Sequence, residues 1–152
     1  MRRLVAWLVL VGWAACAAAQ QNVVRIDDTG TMLSEPVVQM KWRQLVPGRA
    51  FDNTVEAQVR VALRLHFEQL VNQPIRLYMA LAPGTDVPVQ ARWRTQGRLL
   101  AGTVRSGGRA LVYEGPAPGP ILEETIELHL ETDGRYLVSA QNLQFYFEAE
   151  KR

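Results

Sequence analysis

The amino-acid sequence predicts an all-β fold, namely a β-sandwich of about seven or eight antiparallel strands. Apolar and polar residues alternate along most of the chain beyond residue 35, and clusters of Gly, Pro, Asn and Asp separate the alternating stretches. Alternate side chains of an extended strand point to opposite faces, so this pattern is typical of strands that bury one face. A closed barrel has the same periodicity, but the composition favours a sandwich.

The clearest alternating stretch is residues 54–67. Apolar side chains occupy every second position from Val55 to Phe67, and polar side chains occupy the positions between them, with Ala62 as the exception. A helix would scatter these apolar groups around its circumference, whereas a strand places them all on one face. We therefore predict a long strand here whose apolar face packs into the core.

The other predicted strands show the same alternation over shorter lengths. Trp42 and Trp93 are in phase with apolar positions, which favours core packing over a sugar-binding platform, and only Glu124 falls on the apolar side of its strand. These strands are residues 36–42, 75–81, 87–93, 99–104, 110–113, 122–131 and 136–149, with a weaker one at 22–26. The core residues predicted from the longest strands are Val59, Val61, Leu63, Leu128, Leu130, Phe145 and Phe147.

The amino end has the features of a secretory signal peptide. Arg2 and Arg3 form a positive segment, residues 4–13 are apolar, and the small residues 17–19 match the usual cleavage pattern. The apolar run is shorter than the roughly 20 residues that a membrane-spanning helix needs. Charged residues interrupt every later apolar stretch, so we predict an exported chain without a membrane span.

A second interpretation of this segment is lipidation at Cys16, which would tether the chain to a membrane. Trp13 stands where the lipidation pattern normally has an aliphatic residue, so cleavage after Ala19 is favoured. The predicted organisation is then a signal peptide at residues 1–19, a polar arm at residues 20–35 and a β-sandwich domain at residues 36–152.

Charge and cysteine content limit the possible partners of the mature chain. The whole sequence has 17 Lys and Arg residues against 15 Asp and Glu residues, and removal of Arg2 and Arg3 makes the two numbers equal. A chain without net charge has no basic field for nucleic acid. The same cleavage removes Cys16, the only cysteine, so the domain must be stabilised by its hydrophobic core and not by disulfides.

No arrangement of residues in the sequence is typical of catalysis. Both histidines fall on the polar faces of predicted strands, and neither has a second metal ligand at a recognisable spacing. Glu123, Glu127 and Glu131 alternate with apolar residues, so they are expected to face water and not to form a catalytic pair. The sequence therefore predicts a protein that is not an enzyme and has no cofactor, metal site or catalytic residue.

Several motifs together indicate a family. An exported all-β domain follows a polar arm, Pro36-Val37-Val38 opens the domain, and residues 54–74 form a long strand and a loop. The final predicted strand begins after Gly134-Arg135-Tyr136 and contains Leu143-Gln144-Phe145-Tyr146-Phe147. This layout resembles subunits of chaperone–usher fimbriae (pili), especially the colonization-factor or alternate class, whose subunits lack the usual disulfide.

The resemblance implies an immunoglobulin-like sandwich that is incomplete because its last strand is missing. A periplasmic chaperone and usher would be its partners during export, and the arm of another fimbrial subunit would replace the chaperone in the surface fibre. Val24, Ile26 and Met32 are then the candidate donor-strand residues, which are expected to pair with a neighbouring subunit. The resulting fibre would act in cell adhesion. Gly30 fits a close backbone approach or a plain turn. The alternative function is a self-contained, non-enzymatic periplasmic binding or assembly domain.

The signal-peptide pattern yields a first testable prediction. We expect the mature protein to begin at Gln20, because the small residues 17–19 end the apolar segment and polar residues follow at once. Mass spectrometry of the exported protein measures the amino end directly. A protein recovered with a diacylated Cys16 would contradict the prediction and establish a lipoprotein.

Overall fold

Two antiparallel β-sheets pack face to face, which confirms the predicted β-sandwich. The structure is a computed structural model that describes residues 23–44, 52–83, 87–136 and 143–152. The predicted signal peptide lies outside these residues. The strands in them are β1 (Val23–Ile26), β2 (Met32–Leu33), β3 (Lys41–Trp42), β4 (Thr54–His66), β5 (Pro74–Leu81), β6 (Gln90–Thr95), β7 (Gly102–Arg105), β8 (Arg109–Pro116), β9 (Ile121–Asp133) and β10 (Phe145–Lys151). Two short 3-10 helices span Glu68–Leu70 and Gly134–Tyr136.

The strand order divides the chain between a four-stranded and a six-stranded sheet. The four-stranded sheet has the order β1-β10-β5-β8, and the six-stranded sheet has the order β2-β4-β9-β6-β7. Strand β3 also pairs with β4, on the same edge as β2. The seven strands from β4 to β10 each have at least four residues. The short strands β1, β2 and β3 all lie at sheet edges.

The longest ladder joins β4 and β9 at the middle of the six-stranded sheet. Thirteen residue pairs run from Thr54 with Asp133 to His66 with Ile121 without a register shift. Both strands alternate between buried and more exposed residues along their length. The inward faces therefore coincide across the ladder, as the period of two requires.

The core lies between the inward faces of the two sheets. Trp93, the largest of its residues, has 2% of its surface exposed, and its indole N–H donates a hydrogen bond to the Leu100 carbonyl at 2.8 Å. That hydrogen bond replaces the water partner that the indole N–H loses on burial. The central members of the core are Val59, Leu63, Leu65, Phe67, Ile75, Leu77, Met79, Leu128, Leu130 and Phe147.

The predicted core is confirmed except at its periphery. Six of the seven core residues named from the sequence are buried, and Phe145 is half-buried against the cluster. Trp93 enters the core as predicted, but Trp42 is 47% exposed. A Cβ placed on Gly134 would lie 2.6 Å from the Trp42 ring, so this ring lies over Gly134 at the end of the sheet.

The predicted strand at residues 36–42 is wrong over most of its length. Only Lys41 and Trp42 pair with β4, and the segment before them runs along the surface without a partner strand in the described structure. Pro36 has no N–H to donate to a ladder. Val38 and Met40 are nevertheless half-buried against the core, so the alternation is present here without strand pairing. The predicted final strand begins later than expected, at Phe145, and residues 137–142 lie outside the described part of the chain.

The burial of Phe147 yields a stability prediction. Phe147 is 2% exposed and pairs with Met79 on one side and Ile26 on the other. Phe147→Ala is expected to lower the free energy of unfolding by about 3–5 kcal/mol, because it removes apolar contacts and leaves a cavity. Urea denaturation measures the change. Glu127→Ala on the solvent face is the control, with an expected change of about 0.5 kcal/mol or less.

A loss below about 1 kcal/mol for Phe147→Ala would contradict the inward orientation of β10. The comparison with Glu127→Ala separates a cavity effect from any general sensitivity of the sheets, because both residues lie within long strands.

Candidate functional site

The amino-terminal arm forms part of the sandwich in this chain. Strand β1 pairs antiparallel with β10 through four residues, from Val23 opposite Glu150 to Ile26 opposite Phe147. It is the edge strand of the four-stranded sheet, with β10 as its one neighbour in the strand order. The sequence led us to expect an arm outside the domain, and the structure differs because β1 covers the edge of β10.

Two of the three candidate donor residues face inward from β1. Ile26 is 4% exposed and belongs to the core, and Val24 is half-buried on the same face opposite Ala149. Val23 and Arg25 point outward, and the Arg25 guanidinium lies 4.7 Å from the centre of the Tyr146 ring. The alternation of β1 is thus that of an edge strand with one inward face, which packs on the core of its own chain.

The third candidate, Met32, does not share this face. Met32 is 68% exposed and lies in β2, opposite Ala62 on the edge of the six-stranded sheet. The phase changes because a turn separates β1 from β2, with the Thr31 N–H bonded to the Asp28 carbonyl at 3.0 Å. Sequence alternation counted through that turn therefore assigned Met32 to the wrong face.

The turn between the two strands fixes the arm to the six-stranded sheet. The His66 N–H donates to the Asp27 carbonyl at 2.9 Å, and the Arg64 N–H donates to the Thr31 hydroxyl at 3.0 Å. Gly30 has a φ of +96°, which residues with a side chain rarely adopt, and a Cβ there would lie 2.9 Å from Arg64 Cδ. Gly30 is thus a turn residue, and the group that approaches it closely is the Arg64 side chain and not a second backbone.

The Asp27 carboxylate organises the start of this turn. Its Oδ1 atom accepts hydrogen bonds from the N–H and the hydroxyl of Thr29, at 2.9 and 2.6 Å. The hydrogen bond from the Thr29 side chain, followed by that from its backbone, holds the pKa of Asp27 below its ordinary value of 3.8. The ionised carboxylate therefore stabilises the turn through which the arm crosses from one sheet to the other.

A polar cluster on the solvent face of the six-stranded sheet was not apparent from the sequence. It consists of Arg43, Glu56, His129 and Glu131, and we refer to it as the β4–β9 cluster. Glu56 and Glu131 are opposite each other in the ladder, and His129 precedes Glu131 by two residues on the same face. Only the register brings these residues together, since Glu56 and His129 lie far apart in the chain and on different strands.

The Arg43 guanidinium links the carboxylates of the β4–β9 cluster. Its Nε lies 3.0 Å from Glu56 Oε2 and its Nη2 lies 2.8 Å from Glu131 Oε1. The hydrogen bond to Glu56 is the main cause that raises the pKa of Arg43 above its ordinary value. His129 Nε2 lies 3.1 Å from Glu131 Oε1 and 3.6 Å from Glu56 Oε2, so the imidazole faces the same two oxygens.

A groove of about 410 Å³ adjoins the cluster along the outer edge of β4. It lies where the chain between β2 and β3 runs without strand pairing. Glu35, Val37, Lys41, Glu56 and His129 contribute to its lining, so it is mixed in polarity and carries both signs of charge. Ligand sites are usually deeper and more apolar, and this groove alone does not indicate a substrate pocket.

The other carboxylate and histidine side chains of the predicted strands have structural partners. Glu124 accepts hydrogen bonds from the N–H of Arg98 at 2.7 Å and from the Thr95 hydroxyl, which explains a carboxylate on the apolar side of its strand. Glu123 and Glu127 have mostly exposed side chains, each paired with an arginine of β4. His66 Nδ1 lies 3.6 Å from Glu68.

Comparison with protein-family models, curated proteins and solved structures finds no match to this chain. Within the described residues, no helix has the length and apolar character to cross a membrane.

The hydrogen bonds of Asp27 yield a pH prediction. Because the folded-state pKa of Asp27 is lowered, its stabilising effect is complete above pH 3.8 and is lost as pH falls through the folded value. Asp27→Asn should therefore lower the urea midpoint at pH 7, and its difference from wild type should shrink between pH 4 and pH 2. Denaturation curves at a series of pH values measure this difference.

Asp28→Asn serves as the matched control, because no hydrogen bond to the Asp28 carboxylate is present in the described structure. Its difference from wild type should change less over the same interval. A difference for Asp27→Asn that is constant between pH 7 and pH 2 would contradict the proposed role of the ionised carboxylate.

Proposed function

We propose that this chain is an exported, non-enzymatic structural subunit of a surface fimbria, assembled by exchange of strand β1 between subunits. The observation that carries the proposal is the position of β1: an edge strand, supplied by the amino-terminal arm, that pairs with β10 through only four residues. The same position beside β10 is the place that the arm of a neighbouring subunit would take. The resemblance stated above supports this assignment.

Exchange of β1 would preserve the contacts made in the single chain. The inward side chains Val24 and Ile26 would meet the same partners, Ala149 and Phe147, on the neighbouring molecule. Burial of an isoleucine side chain stabilises by about 1.5–3 kcal/mol, so each β1 has a modest hold on its own domain. An exchanged strand recovers that energy in the partner, which is the condition for low-cost domain swapping.

A subunit with β1 withdrawn would need a protecting partner. The edge of β10 would then present unpaired backbone groups, and Ile26 would no longer cover Phe147 from the side. Such an edge beside apolar side chains promotes aggregation unless another strand covers it. We propose a periplasmic chaperone and an usher as the partners that supply this cover during export.

A second candidate function is a self-contained periplasmic binding or assembly domain. The observation that favours it is the attachment of the arm to both sheets: β1 pairs with β10, and β2 pairs with β4. The Ser34 N–H also bonds to the Arg60 carbonyl at 2.9 Å. A domain that covers one edge of each sheet with its own arm has no need of a strand from another subunit.

A cysteine pair distinguishes the two candidates. Arg25 and Glu148 are opposite each other on the outward face of the β1–β10 pair, so a disulfide between Arg25→Cys and Glu148→Cys satisfies the required Cα separation. If β1 is exchanged, the double variant produced in its natural host should give a ladder of covalent multimers. Non-reducing gel electrophoresis of the exported material measures this.

The control pairs Arg25→Cys with Glu114→Cys, because β1 and β8 lie at opposite edges of the four-stranded sheet. This variant should give no ladder, which excludes chance collision as the source of multimers. A fully oxidised but monomeric Arg25→Cys, Glu148→Cys protein would contradict strand exchange and favour the self-contained domain.

A further inference from the structure

The β4–β9 cluster contains three side chains that can bind a metal ion. One ligand atom from each of Glu56, His129 and Glu131 lies within 4.8 Å of the other two. All three residues are half-buried on one face of two adjacent strands. A long, uninterrupted ladder holds their backbones, so their relative positions are set by the sheet and not by a loop.

The separations between these atoms suit a tetrahedral ion. Zinc binds imidazole nitrogen at 2.0–2.1 Å and carboxylate oxygen at 2.0–2.2 Å, which places neighbouring ligands of a tetrahedral site about 3.4 Å apart. His129 Nε2 lies 3.1 Å from Glu131 Oε1 and 3.6 Å from Glu56 Oε2. Two edges of such a tetrahedron are therefore already formed without any movement of the strands.

We propose that Glu56, His129 and Glu131 form a binding site for a first-row divalent cation of the zinc type. An imidazole with two carboxylates is a ligand set that zinc accepts, and water or another side chain completes four-coordinate geometry. The adjoining groove, which Glu35 also lines, gives the fourth position access to solvent or to a further carboxylate.

Arg43 competes with the metal for this site. Its guanidinium contacts Glu56 Oε2 and Glu131 Oε1, the same two oxygens that face His129. These oxygens therefore already hold one positive group, and binding exchanges it for a divalent cation. The Arg43 side chain is 39% exposed and lies 3.8 Å from Asp52, so it can turn toward solvent and keep an anionic neighbour.

The ligand set also predicts selectivity. Calcium and magnesium bind six or more oxygen ligands and do not use imidazole, so a three-residue site with a histidine suits neither ion. A surface that attracted cations only through its negative charge would bind calcium as well as zinc. Competition between the two ions therefore separates a coordination site from general electrostatic attraction.

The direct test is isothermal titration calorimetry of the purified, tag-free chain with zinc chloride. We expect one zinc per chain, with no displacement by a hundredfold excess of calcium. Histidine ring signals in the NMR spectrum provide a readout on the unaltered protein: those of His129 should shift with zinc, and those of His66 should not. Absence of saturable binding, or equal shifts of both histidines, would overturn the proposal.

Single substitutions test which residues bind the metal and whether Arg43 competes with it. His129→Gln and Glu131→Gln should each weaken zinc binding at least about tenfold, since changes outside the ligand shell alone cost that much. His66→Gln is the matched control and should leave the affinity unchanged, because that histidine is on the same sheet and Glu68 is the carboxylate within ion-pair distance of it in the described structure.

Arg43→Gln should tighten zinc binding several-fold, because it removes the competing cation and keeps a polar side chain. A weaker affinity in this variant would contradict the competition. Circular dichroism tests whether each variant is folded. If a variant does not fold, the zinc-dependent NMR shifts of His129 in the wild-type chain still decide whether the site binds zinc.

Discussion

The ladder between β4 and β9 is the constraint on which the rest of the structure depends. Its thirteen consecutive pairs place the apolar faces of two long strands on the same side and their polar faces on the other. A slip of one residue would reverse both faces, so the core and the solvent surface are specified by a single register. The other strands of the six-stranded sheet attach to this pair, β6 and β7 on one side and β2 and β3 on the other.

The same register determines which charged side chains of β4 and β9 lie opposite each other on the solvent face. On the solvent face, two of the opposing pairs join opposite charges: Arg60 faces Glu127, and Arg64 faces Glu123. The pair of Glu56 and Glu131 brings together two like charges that would repel each other if left alone. Arg43, which directly follows β3, offsets this repulsion, so the short strand also positions a cation beside the two carboxylates.

Much of the fold could be predicted from alternation, because a strand with one buried face has a clear period of two. The strand that begins at Thr54 and the burial of Trp93 are examples. The two-residue strand β2 was not predicted, and β3 was predicted only as the end of a longer strand, since an edge pairing that short has no periodic signal of its own. Trp42 was misplaced because its ring covers Gly134 at the end of the sheet, a contact that depends on tertiary structure. The β4–β9 cluster was missed for a related reason: the spacing of its residues has no meaning until the register is known.

The long separation in sequence between the two central strands has a consequence for how the chain folds. Thr54 pairs with Asp133 and His66 pairs with Ile121, so the central ladder cannot form until residues 121–133 have been synthesised. Contacts between distant parts of the chain close slowly, because the entropy of the intervening loop must be lost first. The apolar face of the first strand thus remains open in an unfinished chain for longer than it would in a fold built from hairpins. Slow closure of this kind delays folding until the whole chain is present and leaves an apolar strand face open to aggregation in the meantime.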